Sequence, residues 1–308
     1  MTILYTFARR SVNAAIPKRH LIPFIRSTFR AMANTTIINP PRDPCTLSNY
    51  NNWLTKHTTV DVAVDFKRKV LHGTVTLQLE SRTDKESKEI ILDTSFLDIK
   101  EISVDSQNTK DWEVKDRFEP YGSPLHIKLP SGAALGSIVS VQIGLSTTDK
   151  CTALQWLTPA QTSNKKFPYM FSQCQTIHCR SVFPCQDTPD VKSSFDFKIR
   201  SPFPVIASGL STGATDFKHG VNGEAGTLMY TFKQEVPMPA YLFAIASGDI
   251  ATASIGPRSL VATGPEELLA TKWELENDME KFLETAEKIV FKYEWTQYNV
   301  LVLPASFP

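Results

Sequence analysis

The residues best suited to fix a ligand lie in one run, FPYMFSQCQTIHCRSVFPCQDTPD, which begins at Phe167. Gln173 and Gln175 are two residues apart, so on a strand both side chains would lie on one face. Amide side chains donate and accept hydrogen bonds without carrying charge. Such a pair can hold a peptide backbone or terminus in register, and a solvated strand face is the alternative interpretation.

The same run contains Cys174, His178, Cys179 and Cys185, whose residue types suit zinc. Their spacing does not, because there is no C-x-x-C pair and the histidine adjoins a cysteine. Buried free cysteines that act as small hydrophobes are favoured instead. A Cys179–His178 dyad is disfavoured, since adjacent residues on a strand point to opposite faces. The D-T-P at Asp187–Pro189 predicts a structural turn, in which the aspartate bonds its own downstream backbone.

Several motifs of hydrolytic chemistry are absent from these 308 residues. A zincin needs H-E-x-x-H, because two histidines one helical turn apart face the same metal. No two histidines here are four apart, and no phosphate-cradling loop is present. The one G-x-S-x-G match, at Gly209–Gly213, lies between two predicted strands, whereas a nucleophile elbow leads from a strand into a helix. We therefore expect no catalytic residue and no metal ligand set in this chain. The histidines are His20, His57, His72, His126, His178 and His219.

Composition narrows the class of protein. The net charge of +1 argues against a nucleic-acid binder, and no apolar stretch approaches the length of a transmembrane segment. Five cysteines, an odd number in a large chain, indicate a reducing compartment, so we expect a cytoplasmic protein. Residues 1–42 form a basic leader without any acidic residue, which is typical of a mitochondrial transit segment. The alternative is that Met32 is the true start.

Apolar and polar residues alternate over Val60–Phe66 and Val75–Leu79, which predicts half-buried strands. Short strands separated by Gly, Pro, Asn and Asp clusters predict an antiparallel sandwich or a large open sheet over residues 43–249. Further strands are predicted at Glu89–Leu92, Ile99–Val104, Leu125–Lys128, Ile138–Leu145, Ser194–Arg200, Val205–Ser208, Leu228–Phe232 and Tyr241–Ser247.

The pattern changes near Gly256. A single long helix is predicted from about Pro265 to Tyr293, with a mostly helix-spaced apolar stripe, followed by a strand at Tyr298–Leu303. One helix and one strand cannot bury such a stripe without another layer. Residues 250–308 are therefore expected to be the beginning of a second, incomplete domain.

The glutamine- and cysteine-containing run resembles a segment of a known protein family. FSQCQTIHCRSVFPCQDTP is similar to the N-terminal domain of the zinc aminopeptidases, within the group that also includes epoxide hydrolases of the leukotriene A(4) hydrolase kind. Other matching segments occur in family order and extend the resemblance from Cys45 to Pro308. They are TALQWLTPAQT at Thr152–Thr162, VPMPAYLFAIASG at Val236–Gly248, IGPR at Ile255–Arg258 and YNVLVLPASFP at Tyr298–Pro308.

The resemblance implies a mainly β fold, with a saddle-like antiparallel N-terminal domain followed by the truncated start of a thermolysin-like α/β catalytic domain. In that family the Q-C-Q tripeptide, here Gln173, Cys174 and Gln175, reaches into the active-site cleft and contacts the substrate. Pro308 matches the edge of a substrate-contacting loop. The implied substrate is a peptide, with a lipid epoxide as a second class.

The chain departs from the family pattern by ending before G-G-M-E-N, H-E-x-x-H and the downstream glutamate ligand. The family's transition-state tyrosine and its carboxylate-binding arginine and lysine are missing as well. Zinc is implied for the full-length family member, and none is expected to bind here. We expect the chain alone to be inactive. The alternative function is a stand-alone β module that binds a peptide or partner.

Overall fold

The computed structural model describes residues 42–83, 87–212 and 227–306. Within these ranges the chain is mainly β, as predicted. The strands are β1 Trp53–Asp65, β2 Val70–Ser81, β3 Ser87–Thr94, β4 Asp98–Val104, β5 Gln107–Thr109, β6 Trp112–Val114, β7 Ser123–Ala133, β8 Ile138–Ser146, β9 Leu154–Leu157, β10 Tyr169–Ser172, β11 Ser193–Ser201, β12 Val205–Ala207, β13 Leu210–Ser211, β14 Leu228–Met238, β15 Ile245–Ser247, β16 Ala251–Gly256, β17 Ser259–Thr263 and β18 Tyr298–Leu301.

The largest sheet has the strand order β13-β14-β11-β1-β2-β8-β4-β5. Its neighbours are antiparallel except at the centre, where β1 runs parallel to β11. The alternation that predicted half-buried strands is confirmed here, because Val60, Val75 and Leu77 face the core. The parallel pair was not predicted. It joins strands that are far apart in sequence, which local alternation does not encode.

Two smaller sheets complete the β region. One has the order β3-β7-β6, and the other has the order β12-β15-β10-β9. Apolar side chains of the large sheet and of these two sheets form one continuous core, which includes Trp53, Phe183 and Phe243. This core supports the Q-C-Q segment, because β10 leads directly into Gln173.

A third small sheet, with the order β16-β17-β18, lies at the C-terminal end of the described chain. Tyr169 and Phe171 of β10 share an apolar cluster with Ala262 of β17 and Leu301 of β18. The residues on either side of position 250 are therefore packed together. The division of the chain into domains at 43–249 and 250–308 stays a prediction.

The prediction of a single helix from Pro265 to Tyr293 is wrong. The segment folds as two helices, α1 Leu268–Glu276 and α2 Met279–Ile289, which are separated at Asn277 and Asp278. Asparagine and aspartate favour helix ends over helix interiors, because their side chains compete for backbone hydrogen bonds. No helix in the described ranges is long and apolar enough to cross a membrane.

The strand predicted at Tyr241–Ser247 is shorter than expected. A 3-10 turn occupies Ala240–Leu242, and β15 begins only at Ile245. Pro239 precedes this turn in an extended conformation, which directs the chain into it. The strand predicted at Tyr298–Leu303 ends at Leu301.

Candidate substrate-binding groove

The Q-C-Q segment follows β10 immediately. The backbone N–H of Gln173 donates to the carbonyl of Ala153 at 2.7 Å, and that of His178 donates to the carbonyl of Cys174 at 2.9 Å. The segment is therefore a turn and not a strand, so our reason for placing both glutamines on one face is wrong. Gln173 and Gln175 are nevertheless both exposed.

Cys174 lies between the two glutamines and points the other way. Its side chain is 1% exposed and belongs to the main core. Burial, together with contacts to the thiols of Cys174 and Cys185, raises the pKa of Cys179 well above its usual value. Burial raises the pKa of Cys185 to about 11. Neutral buried thiols are poor nucleophiles and poor metal ligands, so Cys179 and Cys185 serve as small hydrophobes.

The two glutamines stand at the rim of a groove that encloses about 80 Å³. Its wall comes from β10, β14, the 3-10 turn Ala240–Leu242, the start of β15, and the three C-terminal residues Trp295, Leu301 and Leu303. That volume holds a small side chain or a few water molecules, and not a whole peptide. The lining residues are Phe171, Ser172, Gln173, Gln175, Ser208, Gln234, Met238, Tyr241, Leu242, Phe243, Ala244, Ile245, Trp295, Leu301 and Leu303.

The third glutamine of the groove has a different role. Gln234 donates from Nε2 to the carbonyl of Ser208 at 3.3 Å and accepts from the N–H of Val236 at 3.2 Å. Its amide therefore joins β14 to the chain beside it. Neither Gln234 nor Trp295 was identified from the sequence. Both are distant from the Q-C-Q segment along the chain, and no local motif marks them.

Pro308, the fourth predicted substrate-binding residue, lies outside the described residues. The nearest described segment is tied to the β region, because the hydroxyl of Ser306 donates to the carbonyl of Gln161 at 2.6 Å.

A buried arginine anchors the segment that follows the glutamines. Arg180 lies in a 3-10 turn, Cys179–Ser181, and its side chain is 2% exposed. Its Nε donates to Asp187 Oδ2 at 3.0 Å, one Nη donates to the carbonyl of Asp187 at 2.9 Å, and the other donates to the carbonyl of Tyr121 at 2.7 Å. The planar fork of the guanidinium group suits this set of acceptors.

A second carboxylate completes the anchor. Asp93, at the end of β3, has Oδ1 3.5 Å from an Nη of Arg180. It also accepts hydrogen bonds from the hydroxyl of Thr46 at 2.5 Å and from the backbone N–H groups of Leu47 and Asp187 at 2.6 and 3.0 Å. Burial raises the pKa of Asp93, and burial raises that of Asp187 to about 6, although Arg180 opposes both shifts.

The prediction of a structural role for Asp187–Pro189 needs a correction of its mechanism. Asp187 is buried and its carboxylate accepts from the backbone N–H and the Nε of Arg180, rather than from its own downstream backbone. The signal was ambiguous because a D-T-P sequence looks the same whether the aspartate bonds locally or to a distant cation.

No group of three or more His, Cys, Asp or Glu side chains in the described residues is arranged to hold a metal ion. His178 is half-buried, and its Nδ1 lies 2.8 Å from the hydroxyl of Thr152. The donors that this part of the chain offers therefore do not fit zinc.

Comparison with known proteins decides the family. Residues 48–242 match the peptidase M1 N-terminal domain. The chain belongs to the M1 peptidase family. A leukotriene A-4 hydrolase homolog of Botryotinia fuckeliana is 71% identical over 299 residues, which are 97% of this chain and 46% of that protein. A leucine aminopeptidase 2 of Sclerotinia sclerotiorum is 74% identical over 268 residues, which are 87% of this chain and 44% of that protein.

Solved M1 peptidase structures share the fold. Native leukotriene A4 hydrolase from Saccharomyces cerevisiae is 45% identical, with a TM-score of 0.79 over 88% of this chain and 41% of that chain. The yeast enzyme in complex with bestatin is 46% identical, with a TM-score of 0.78 over 88% of this chain and 40% of that chain. The predicted fold class is confirmed. The chain spans less than half the length of the two fungal relatives from Botryotinia and Sclerotinia and corresponds to their N-terminal portion.

Proposed function

We propose that this chain is the N-terminal, substrate-binding part of a zinc aminopeptidase that removes N-terminal residues from peptides. The groove beside Gln173 and Gln175 is the observation that carries this proposal. Two exposed amides lie beside apolar lining residues. An amide side chain can donate to a peptide carbonyl and accept from a peptide N–H. One M1 relative is called leucine aminopeptidase 2, which suggests an apolar N-terminal residue for the substrate.

In this proposal the residues of the groove bind and orient the peptide substrate. The remaining part of the peptidase supplies the catalytic groups. The amides of Gln173 and Gln175 hold the peptide backbone, while Phe171, Tyr241 and Leu301 exclude water from one side of it. Zinc would be held by residues outside this chain, where it would polarise the scissile carbonyl and activate water.

The finer parts of the function are proposed on narrower grounds. Hydrolysis of a lipid epoxide is proposed as a second activity of the whole protein, because one relative is called a leukotriene A-4 hydrolase homolog. A cytoplasmic location is proposed from the free cysteines, and a mitochondrial isoform is proposed from the basic leader before Met32.

The test is release of N-terminal leucine from a short peptide by the protein purified from its source. We expect release that a zinc chelator abolishes and added zinc restores. The separate polypeptide of residues 1–308 serves as the matched control and is expected to release nothing. Release by the native protein that is insensitive to chelation, or no release at all, would contradict the proposal.

A further inference from the structure

The turn that carries Gln173 and Gln175 has little regular structure of its own. From Gln173 to Pro184 the only regular element is the 3-10 turn Cys179–Ser181. A binding group on such a segment is precise only if other contacts fix the backbone. Those contacts therefore decide how well the two amides are placed.

Ser181 connects the 3-10 turn to the base of the glutamine segment. Its hydroxyl accepts from the backbone N–H of Ala153 at 3.2 Å and donates to the carbonyl of His178 at 2.7 Å. Ala153 is the residue whose carbonyl accepts from Gln173. Cys179 meanwhile packs against Cys174 within the core. The 3-10 turn thus touches the glutamine segment at two points.

Arg180 fixes this 3-10 turn to the rest of the fold. Through Asp187, Asp93 and the carbonyl of Tyr121 it reaches three separate stretches of chain. Its own carbonyl accepts from the N–H of Ser95 at 2.8 Å, so both its side chain and its backbone are held. Both carboxylates and the guanidinium are almost fully buried, where hydrogen bonds are stronger than in water. Only Asp187 Oδ1 of this network has no hydrogen-bond partner in the described residues.

Gln186 closes the same loop from the other end. Its Oε1 accepts from the N–H and the hydroxyl of Thr55 at 2.9 and 2.8 Å, and its Nε2 donates to the carbonyl of Trp53 at 2.8 Å. The loop that begins at Gln173 is therefore pinned at Arg180 and again at Gln186. The glutamines are the exposed end of a segment whose other end is held by buried hydrogen bonds.

We propose that Arg180, held between Asp93 and Asp187, is the positioning residue that sets the glutamine turn in the substrate-binding groove. This inference rests on the proposed function, because it assumes that Gln173 and Gln175 bind the substrate. Arg180 itself touches no substrate. It acts through Ser181 and Cys179, which contact the base of the turn.

The first test measures hydrogen exchange over these 308 residues within the whole peptidase carrying Arg180→Lys. Lysine keeps the charge that the buried carboxylates need but loses the forked set of donors. We expect exchange over 173–183 to rise at least about tenfold, while exchange over Ile138–Ser146 stays within about twofold. The control is Ile143→Val, a mild core truncation in β8 that should not single out the turn.

A merely structural Arg180 would give a different result. Exchange would then rise evenly along the chain, and that outcome, or an unchanged turn, would overturn the proposal. If Arg180→Lys does not fold, Asp187→Asn takes its place, because it removes the closest negative charge and keeps the shape of the side chain.

The second test measures steady-state kinetics of the same variant in the whole peptidase. Misplaced amides should raise KM about tenfold and leave kcat within about twofold, since they weaken ground-state and transition-state binding equally. A purely structural residue would lower the amount of active enzyme and leave KM unchanged. Gln173→Ala and Gln175→Ala are run in parallel. If these two leave KM unchanged, the proposed function fails. If they raise KM and Arg180→Lys does not, only the positioning role fails.

Discussion

Gln173 and Gln175 are exposed amides, whereas Gln234 in the same groove is engaged by the backbone on both sides. The first prediction follows from this difference. In the whole peptidase, Gln173→Ala combined with Gln175→Ala should raise KM for a peptide by about 5- to 100-fold, because about one net hydrogen bond is lost at each position. Steady-state kinetics measure it, with kcat expected within about twofold.

The control for this variant is Gln142→Ala, an exposed amide on β8 that lies outside the groove. This control substitution should leave KM and kcat for the peptide unchanged. An equal change of KM in the control and the double variant would contradict the binding role.

The second prediction concerns Asp187, whose pKa burial raises from 3.8 to about 6. Between about pH 4 and 6 the native chain keeps a proton that the unfolded chain releases, so this carboxyl's contribution to stability falls as pH rises through that window. Asp187→Asn does not titrate. The free energy of unfolding of the variant, relative to the wild type, should therefore improve by about 2 to 3 kcal/mol between pH 4 and pH 7.

Urea denaturation at the two pH values measures this difference. The comparison cancels the ionisable groups that lie far from Asp187. Asp93 and Arg180 interact with Asp187, so any change in their titration is part of the measured difference. The difference in free energy of unfolding between the variant and the wild type could instead stay constant, or the wild type could gain stability relative to the variant as pH rises. Either result would show that the buried carboxylate is ionised at pH 4.

Gln173 and Gln175 were selected from the sequence because two amides can bind a peptide backbone and because the family resemblance implies that the Q-C-Q tripeptide contacts the substrate. Their binding role stays a prediction. The Arg180 anchor was missed because Asp93 is 94 residues from Asp187 in sequence, and nothing local links them. A buried ion network of this kind becomes visible only when the strands are in register.

At the scale of elements, alternation predicted the strands because each one has a buried and an exposed face. It did not predict which strands are neighbours, since β1 and β11 are separated by most of the β region. The apolar stripe predicted one helix, but Asn277 and Asp278 divide it into two. The spacing of apolar residues is an average over many positions, so it does not reveal a break of two residues in a helix.

The third prediction concerns Gly73, which lies where β2 pairs with β1 in the large sheet. Gly73 of β2 has φ +148°, and an added Cβ would lie 2.2 Å from the carbonyl oxygen of Asp61 on β1. Gly73→Ala should lower the free energy of unfolding by at least about 2 kcal/mol, from backbone strain and this clash together. Gly136→Ala is the matched control, because Gly136 also has positive φ, +78°, but nothing lies within 4 Å of an added Cβ.

The control should lose only about 1 kcal/mol, the cost of a side chain in the left-handed region. Denaturant melts of both variants measure the two losses. Equal losses would mean that β1 and β2 separate easily at this point.

At the scale of the whole molecule, the surface of α1 and α2 is unusually apolar. Trp273 and Phe282 are 69% and 65% exposed, and Leu269, Ile289 and Phe291 are exposed as well. Within α2 only Met279 and Leu283 are buried. Several exposed apolar side chains on two adjoining helices favour an interface. We expect the remaining part of an M1 peptidase to cover it.

The fourth prediction is that the 308-residue chain alone self-associates through this surface. Trp273→Ser combined with Phe282→Ser should increase the monomer fraction severalfold in sedimentation velocity, because both substitutions remove exposed apolar area. Leu135→Ser, at an exposed apolar residue in the β region, is the control and should change little. A wild-type chain that is already a stable monomer would favour the stand-alone module.

The central claim is that these residues are the N-terminal portion of a longer zinc aminopeptidase. The most direct test is the intact mass of the native protein isolated from its source cells. We expect a mass well above the 34.5 kDa of these 308 residues. A native mass at or slightly below 34.5 kDa would contradict it and would make a binding module the better description.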